Sequence, residues 1–541
     1  MSNLKTNRRK MHTSQSMRGK KLFIDAAIIC FLIMAWFKLC MGIESSLEVD
    51  TAADETLYLY SGITQTTPAD YGPLYGLWYW LLWWTTPDRI DLYYLNWRMT
   101  TLLPVLAFYL ICRLNRVTPL VSAVAAWLLL ISSINVSTWP RVSHLALFIV
   151  LLSLSAISLL RSRSRSSLAI ATGLLAASYV RPELFLSYVA GLGVVLIDLI
   201  RDYRQKQLLP WLTMIITGFV QLALLIWQGV PMTGERSFVA FSQHFATSWI
   251  TWNNSQLDPW NDFPYIMQTA FGDDVDTVWE AFLANPMLIL RHMVQNVIRL
   301  YGIATLLPVG VVHYSATADR IDKLFLWVVL FTALGVFLMT LHLIRRSISE
   351  LLFRKEHNRL RVWIIICTLL VFISIISIYP RPHYLLLLIL PLLFFVIVVY
   401  TANQPLTPPR LPELVLTVSL MFLLTPMPWW STNNQWQTPA LRFLNTLNSV
   451  QQAQLTVLVP LDIAGLYIPT FKKIIAYHEN GNEFMDLLDE ADIVIIGSVS
   501  SSETIRRFTS YPQQYGFEPI LEPYIPSLFI RSEHRQLFST K

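Results

Sequence analysis

The sequence predicts a polytopic α-helical membrane protein with about eleven transmembrane helices and a C-terminal α/β domain. Three observations predict it. Hydrophobic residues make up 54% of the 541 and charged residues only 14%, against about 25% charged in a soluble protein. Mean hydropathy is +0.47. Apolar runs of bilayer length alternate with short basic turns. A soluble enzyme, a disordered chain and a disulfide scaffold are thereby excluded. Cys30, Cys40, Cys112 and Cys367 all lie in or beside apolar runs and form no CxxC framework. The net charge of +6 sits largely beside apolar segments, where it orients helices, and is not a nucleic-acid signal.

The elements follow in order. Residues 1–21 form a basic tail with seven Lys/Arg and no acid. The apolar run at 22–43 is too long for a signal-peptide core and lacks a small-residue cleavage site, so it reads as an uncleaved first helix. Further apolar runs lie near 99–112, 119–135, 142–160, 168–180, 184–200, 208–228, 324–344, 362–379, 384–401 and 411–427. Eleven crossings from a cytoplasmic start place 22 of the 41 Lys/Arg on the inside, as the positive-inside rule requires. RSRSRSS at 161–167 reads as a solvated cytoplasmic turn. The outside then carries a first loop at 44–98, a long loop at 229–323 and the tail at 428–541. In that tail Leu455–Pro460 and Asp492–Gly497 read as buried strands, with helices near Leu441–Gln452, Glu483–Glu490 and Glu503–Phe508.

Candidate chemistry gathers on the outer side. The first loop carries Asp50, Asp54 and Glu55, followed by GPLYGLWYWLLWW at 72–84, whose Trp and Tyr suit a helix at headgroup level. An acid held there among aromatics can act as general base on a hydroxyl arriving from outside. Three outer turns carry cations: Arg141 with His144, Arg181 with Glu183, and Arg381 with His383. Charge at membrane depth is costly and marks function, and the planar guanidinium fork suits phosphate. The plain alternatives are a solvated loop for the acids and snorkelling or local pairing, such as Arg181 with Glu183, for the arginines. Asp273, Asp274 and Asp276 lack the spacing of a calcium loop. No GxGxxG, GxSxG or HExxH occurs, so no dinucleotide, serine-hydrolase or zinc-protease site is expected.

The membrane region, about 22–427, resembles the GT-C glycosyltransferases that use lipid-linked donors, in particular protein O-mannosyltransferases and lipid A aminoarabinose transferases. The residues that carry the resemblance are Asp54-Glu55 followed by Tyr58 in the first outer loop, Gly72-Pro73-Leu74-Tyr75 opening an interfacial helix, the Arg181-Pro182-Glu183 turn, and Arg381 at a late outer turn. Many relatives have a second acid between helices 3 and 4; Ser137–His144 contains none.

The resemblance implies a GT-C-like transmembrane domain at 22–427 and an outer domain at 428–541. It implies a polyprenyl-phosphate–sugar donor and an inverting displacement onto a glycan, lipid or protein acceptor. Asp54 would be the base, Glu55 would orient acceptor or cation, Arg181 and Arg381 would stabilise the phosphate, and His383 would donate to it. No cofactor is assigned, and a divalent metal stays open. The expected location is the cell inner (plasma) membrane within the cell envelope, with the N-terminus cytoplasmic and the C-terminal domain outside. Two other classes compete: a transporter, which would move substrate without covalent change, and a non-catalytic scaffold, which would keep its cellular role after Asp54→Asn.

Overall fold

The computed structural model describes residues 22–304 and 358–538, less short breaks that fall chiefly at 50–53, 66–71, 137–140, 205–208, 232–234, 382–383, 398–410, 427–436, 461–465, 478–482 and 497–501. The basic tail, the run at 324–344, Asp50 and His383 therefore lie outside the described residues. The run at 384–401 is described only in part. Helix forms over the remaining nine predicted runs.

Among the described residues five helices are long and apolar enough to cross a membrane. They are α1 (Leu22–Cys40), α4 (Arg89–Leu114), α6 (Val142–Leu159), α8 (Leu184–Arg204) and α14 (Asn358–Ser377). Between them come α2 (Asp54–Thr64), α3 (Pro73–Trp83), α5 (Pro119–Ile131), α7 (Arg163–Ser178) and α9 (Leu209–Gln228). The predicted loop at 229–323 is itself helical where described: α10 (Glu235–Asn253), α11 (Phe263–Phe271), α12 (Val278–Ala284) and α13 (Pro286–Ala304). A further apolar helix, α15 (Leu411–Leu424), precedes the tail. At 1.5 Å per residue the 26 residues of α4 span about 39 Å, more than the ~30 Å hydrocarbon layer. The N-terminal part of α4 contributes Asn96 to the polar site described below.

Polar ties hold the helices where apolar packing has no preferred register. Arg113 Nε donates to Asp25 Oδ1 at 2.7 Å, and Tyr109 OH to the same oxygen at 2.6 Å. Lys38 donates to the Phe422 and Leu423 carbonyls at 2.8 and 3.3 Å, capping the last turn of α15, whose carbonyls have no intrahelical partner. The RSRSRSS stretch is not a solvated turn. Arg163–Ser167 opens α7 with Ser164, Ser166 and Ser167 buried. Ser167 donates to Asp198 at 2.6 Å and Ser164 to Asp202 at 2.5 Å, while Arg359 reaches Asp198 at 3.2 Å. Buried carboxylates need such donors, and the serines supply them.

The C-terminal part is a small α/β unit. Its sheet runs in the order β2-β1-β3-β5-β4, with β1 (Thr456–Pro460), β2 (Lys473–Tyr477), β3 (Ile493–Ile495), β4 (Phe517–Leu521) and β5 (Tyr524–Arg531). The first three are parallel and β5 is antiparallel to both its neighbours. Helices α16 (Gln437–Asn445), α17 (Phe484–Leu488) and α18 (Glu503–Ser510) surround it. The two expected strands are β1 and β3. The unit docks on the end of the helical part that carries α2. Arg442 pairs with Glu44 at 2.7 Å and Asp91 at 2.6 Å, Arg89 donates to the Leu466 carbonyl at 2.5 Å, and Thr56 and Tyr467 share a hydroxyl hydrogen bond of 2.6 Å.

Candidate functional site

α2 begins at the Asp54-Glu55 pair, acids in a first turn where the helix dipole favours them. The two side chains part company. Glu55 is 1% exposed and turns inward. Its Oε1 accepts from Tyr75 OH and Tyr79 OH, both at 2.5 Å, and from Asn96 Nδ2 at 2.8 Å. Its Oε2 accepts from the Arg141 backbone N at 2.7 Å. Tyr75 and Tyr79 stand four apart on α3 and so share a face; Asn96 comes from the N-terminal part of α4. Burial pushes the Glu55 carboxyl up, against the pull of the two tyrosine bonds and the Arg141 backbone bond. Burial, and next the Glu55 charge, push both tyrosines well up.

Arg141 does not snorkel. It is 1% exposed, and its three guanidinium nitrogens donate to Thr100 Oγ1 (3.2 Å), the Asn135 carbonyl (2.7 Å) and Thr101 Oγ1 (2.6 Å). Its guanidinium lies 5.2 Å from the Trp97 ring centre. Burial lowers it to about 10. His144 is buried beside it, 3.2 Å from the same Asn135 carbonyl. Glu55, Arg141 and His144 therefore form an internal polar knot that clamps α2, α3, α4 and the entry to α6. Glu55 faces its four donors rather than an incoming acceptor.

Asp54 stays partly exposed at the head of α2. One turn on, Tyr58 is buried edge-on to Tyr75, with ring centres 5.1 Å apart. Gly72 precedes α3 with φ +64, a left-handed conformation that glycine adopts without cost. A Cβ there would sit 3.0 Å from the Val180 carbonyl oxygen, and the Leu74 N–H donates to the Tyr179 carbonyl at 3.2 Å. The Gly72-Pro73 start of α3 thus docks directly on the turn that carries Arg181. Gly62 allows a similar approach of α2 to α3, since a Cβ on it would meet Gly76 O at 2.6 Å.

Arg181 is 8% exposed. It donates through Nη2 to Glu183 Oε1 at 2.7 Å and lies 4.3 Å from the Tyr384 ring centre. Burial opposes its charge, but Glu183 beside it, then Tyr384 and Tyr58, more than offset this and hold it above the ordinary arginine value. Arg181 and Glu183 form the polar end of a crevice whose wall is Val371, Ile375, Ile378 and Leu387, with Ser374 and Tyr384 between. Two atoms at that polar end, Arg181 Nε and Glu183 Oε2, are buried without a hydrogen-bond partner.

The expected pairing of Arg181 with Arg381 takes a different form. Arg381 sits on the turn that brings Tyr384 onto Arg181, since the Tyr384 N–H donates to the Arg381 carbonyl at 3.0 Å. Its guanidinium, however, lies over Trp260 at 6.0 Å, toward α10 and α13. The two arginines lie on separate turns that meet at Tyr384, and they serve different surroundings. Among the described residues one group of metal-type ligands lies together, Asp492, Glu533 and His534, where β3 begins and β5 has just ended. Asp492 there already accepts from the Thr456 N–H at 2.7 Å and faces His534 at 3.0 Å. No family model and no curated protein matches this chain.

Sequence reasoning missed Tyr79 and Asn96 as partners of Glu55, and Tyr384 as the ring under Arg181. The four-residue spacing of Tyr75 and Tyr79 was a usable signal for a shared face; nothing local signals Asn96.

Proposed function

We propose that this chain is a membrane glycosyltransferase that moves a sugar from a polyprenyl-phosphate donor to a hydroxyl acceptor, with inversion. The observation that carries the reading is the crevice ending in Arg181 and Glu183. Its wall is apolar and it is narrow, with room for about one water, so a donor lipid enters only as α14 and the Tyr384 segment part. In its lining, and among the described residues, Arg181 Nε is a donor and Glu183 Oε2 an acceptor without a hydrogen-bond partner. A sugar phosphate supplies the complement to both: an anionic oxygen for the guanidinium and a hydroxyl for the carboxylate.

In this mechanism Asp54 takes the acceptor hydroxyl's proton as the oxygen attacks the anomeric carbon. The carbon–oxygen bond to phosphate breaks, and the polyprenyl phosphate leaves with the electron pair. A phosphate is a good leaving group, so charge stabilisation by Arg181 replaces a general acid. Glu55 and Arg141 act at one remove, by fixing α2 and α3. Membrane insertion with the N-terminus cytoplasmic, and the α2 end and C-terminal unit outside, belongs to the same proposal, as does a cell inner-membrane location. The acceptor remains a glycan, a lipid or a protein.

The test is transfer from undecaprenyl-phosphate hexoses and pentoses by the purified protein. Asp54→Asn and Arg181→Ala are each expected to slow transfer by about 10²–10³-fold, the usual effect of removing a preorganised charged group. Transfer at the wild-type rate in both variants refutes the assignment. Donor lipid crossing liposomes unchanged favours the transporter class instead.

A further inference from the structure

A second cationic cluster lies on the other side of the Ile378–Tyr384 turn. His244 on α10 is 5% exposed and wedged between two rings. It stacks on Tyr379 at 4.6 Å and meets Trp260 edge-on at 5.7 Å. Each ring carries a guanidinium: Arg299 lies 5.1 Å from the Tyr379 centre and Arg381 lies 6.0 Å from that of Trp260. Arg299 is partly satisfied by Ser248 Oγ at 2.8 Å and Asn296 Oδ1 at 3.2 Å. Among the described residues neither arginine has an ion-pair partner, and neither the Arg381 guanidinium nor the His244 ring has a hydrogen bond. Two guanidiniums thus lie near a buried imidazole with no counter-charge among the described residues.

The helix behind them mixes polar and apolar groups on both faces. α13 turns His292, Asn296 and Arg299 inward, where His292 and Asn296 meet the Ile378 carbonyl at 2.9 and 3.2 Å. Its opposite face exposes Met287, Leu290, Val294 and Val297, with Arg291 among them over the Trp252 ring. Exposed apolar side chains with one arginine among them suit a helix at the headgroup boundary, where the arginine reaches the polar layer.

We infer that Arg299, Arg381 and His244 form a second anion site, separate from the Arg181 crevice, that takes the phosphate of a lipid headgroup. Guanidinium forks match phosphate oxygens. The exposed apolar side chains of α13 set the site next to acyl chains. The inference goes beyond the transfer reaction, and its test needs no sugar donor.

The test uses the full chain, stripped of lipid in detergent. Binding of phosphatidylglycerol is compared with that of uncharged diacylglycerol by native mass spectrometry, with and without millimolar inorganic phosphate. Arg381→Gln is the informative variant, because its guanidinium makes no protein hydrogen bond and the fold does not depend on it. Phosphatidylglycerol affinity is expected to fall about tenfold or more in Arg381→Gln and further with Arg299→Gln, while Asp54→Asn binds normally. Competition by inorganic phosphate supports a site that reads phosphate from either source. Arginine-dependent binding that phosphate leaves intact supports one that reads headgroup and chains together. Equal binding by wild type and the double variant, or equal binding of diacylglycerol, overturns the inference even if sugar transfer is established.

Discussion

Glu55 and Asp54 are neighbours with the same carboxylate, and their surroundings separate them. Glu55 is buried and accepts from Tyr75, Tyr79, Asn96 and the Arg141 backbone; Asp54 stays partly exposed at the helix head. Glu55→Gln keeps the shape but swaps an acceptor oxygen for an amide that must face a donor. A mismatched buried polar pair costs about 1–3 kcal/mol, so the thermal midpoint is expected to drop. Asp54→Asn is expected to lower it less, by the loss of a first-turn charge worth about 0.3–1 kcal/mol. Thermal unfolding in detergent measures both, and equal midpoints for the two variants would remove the structural role assigned to Glu55. The acid pair itself was legible in the sequence. Which acid faces inward was not, because that depends on Tyr79, Asn96 and the Arg141 backbone arriving from three other segments.

At the scale of elements, α3 shows how a turn residue fixes a site. Gly72 holds φ +64 beneath the Val180 carbonyl. Gly72→Ala adds left-handed strain of about 1–2 kcal/mol and a 3.0 Å contact. The expected outcome is a lower thermal midpoint together with slower transfer, since α3 and the Arg181 turn separate; Gly218→Ala, with open space around its Cβ, is the control and is expected to change neither. Apolar helices were readable because length and composition alone define them. The serine-rich turn was misread because its burial depends on Asp198, Asp202 and Arg359, all distant in sequence. Strands β4 and β5 were hidden by Pro519 and Pro526. β4 is an edge strand, where a missing N–H is tolerated, and Pro526 falls in the stretch where the β4–β5 register shifts, so neither proline breaks a ladder.

At the scale of the whole molecule, the C-terminal unit is fastened to the helix that carries Asp54. Thr56 and Tyr467, both buried, share one hydrogen bond across 411 residues of sequence. Tyr467→Phe removes it at a cost of about 1 kcal/mol. If α2 is held in place from above, the same change lowers the transfer rate while donor binding is kept; a rate identical to wild type would confine Tyr467 to stability.

The chain also closes on itself late. Lys38 finds its carbonyls 384 and 385 residues downstream, the Val49 N–H finds Thr438 after 389, and Glu44 finds Arg442 after 398. On the ribosome, the first helix and the loop after it are made early and wait through most of translation for their partners. A premature stop before residue 438 therefore harms the opening of the polypeptide as well as its end, leaving the newborn N-terminal segment unlatched for quality-control proteases to find.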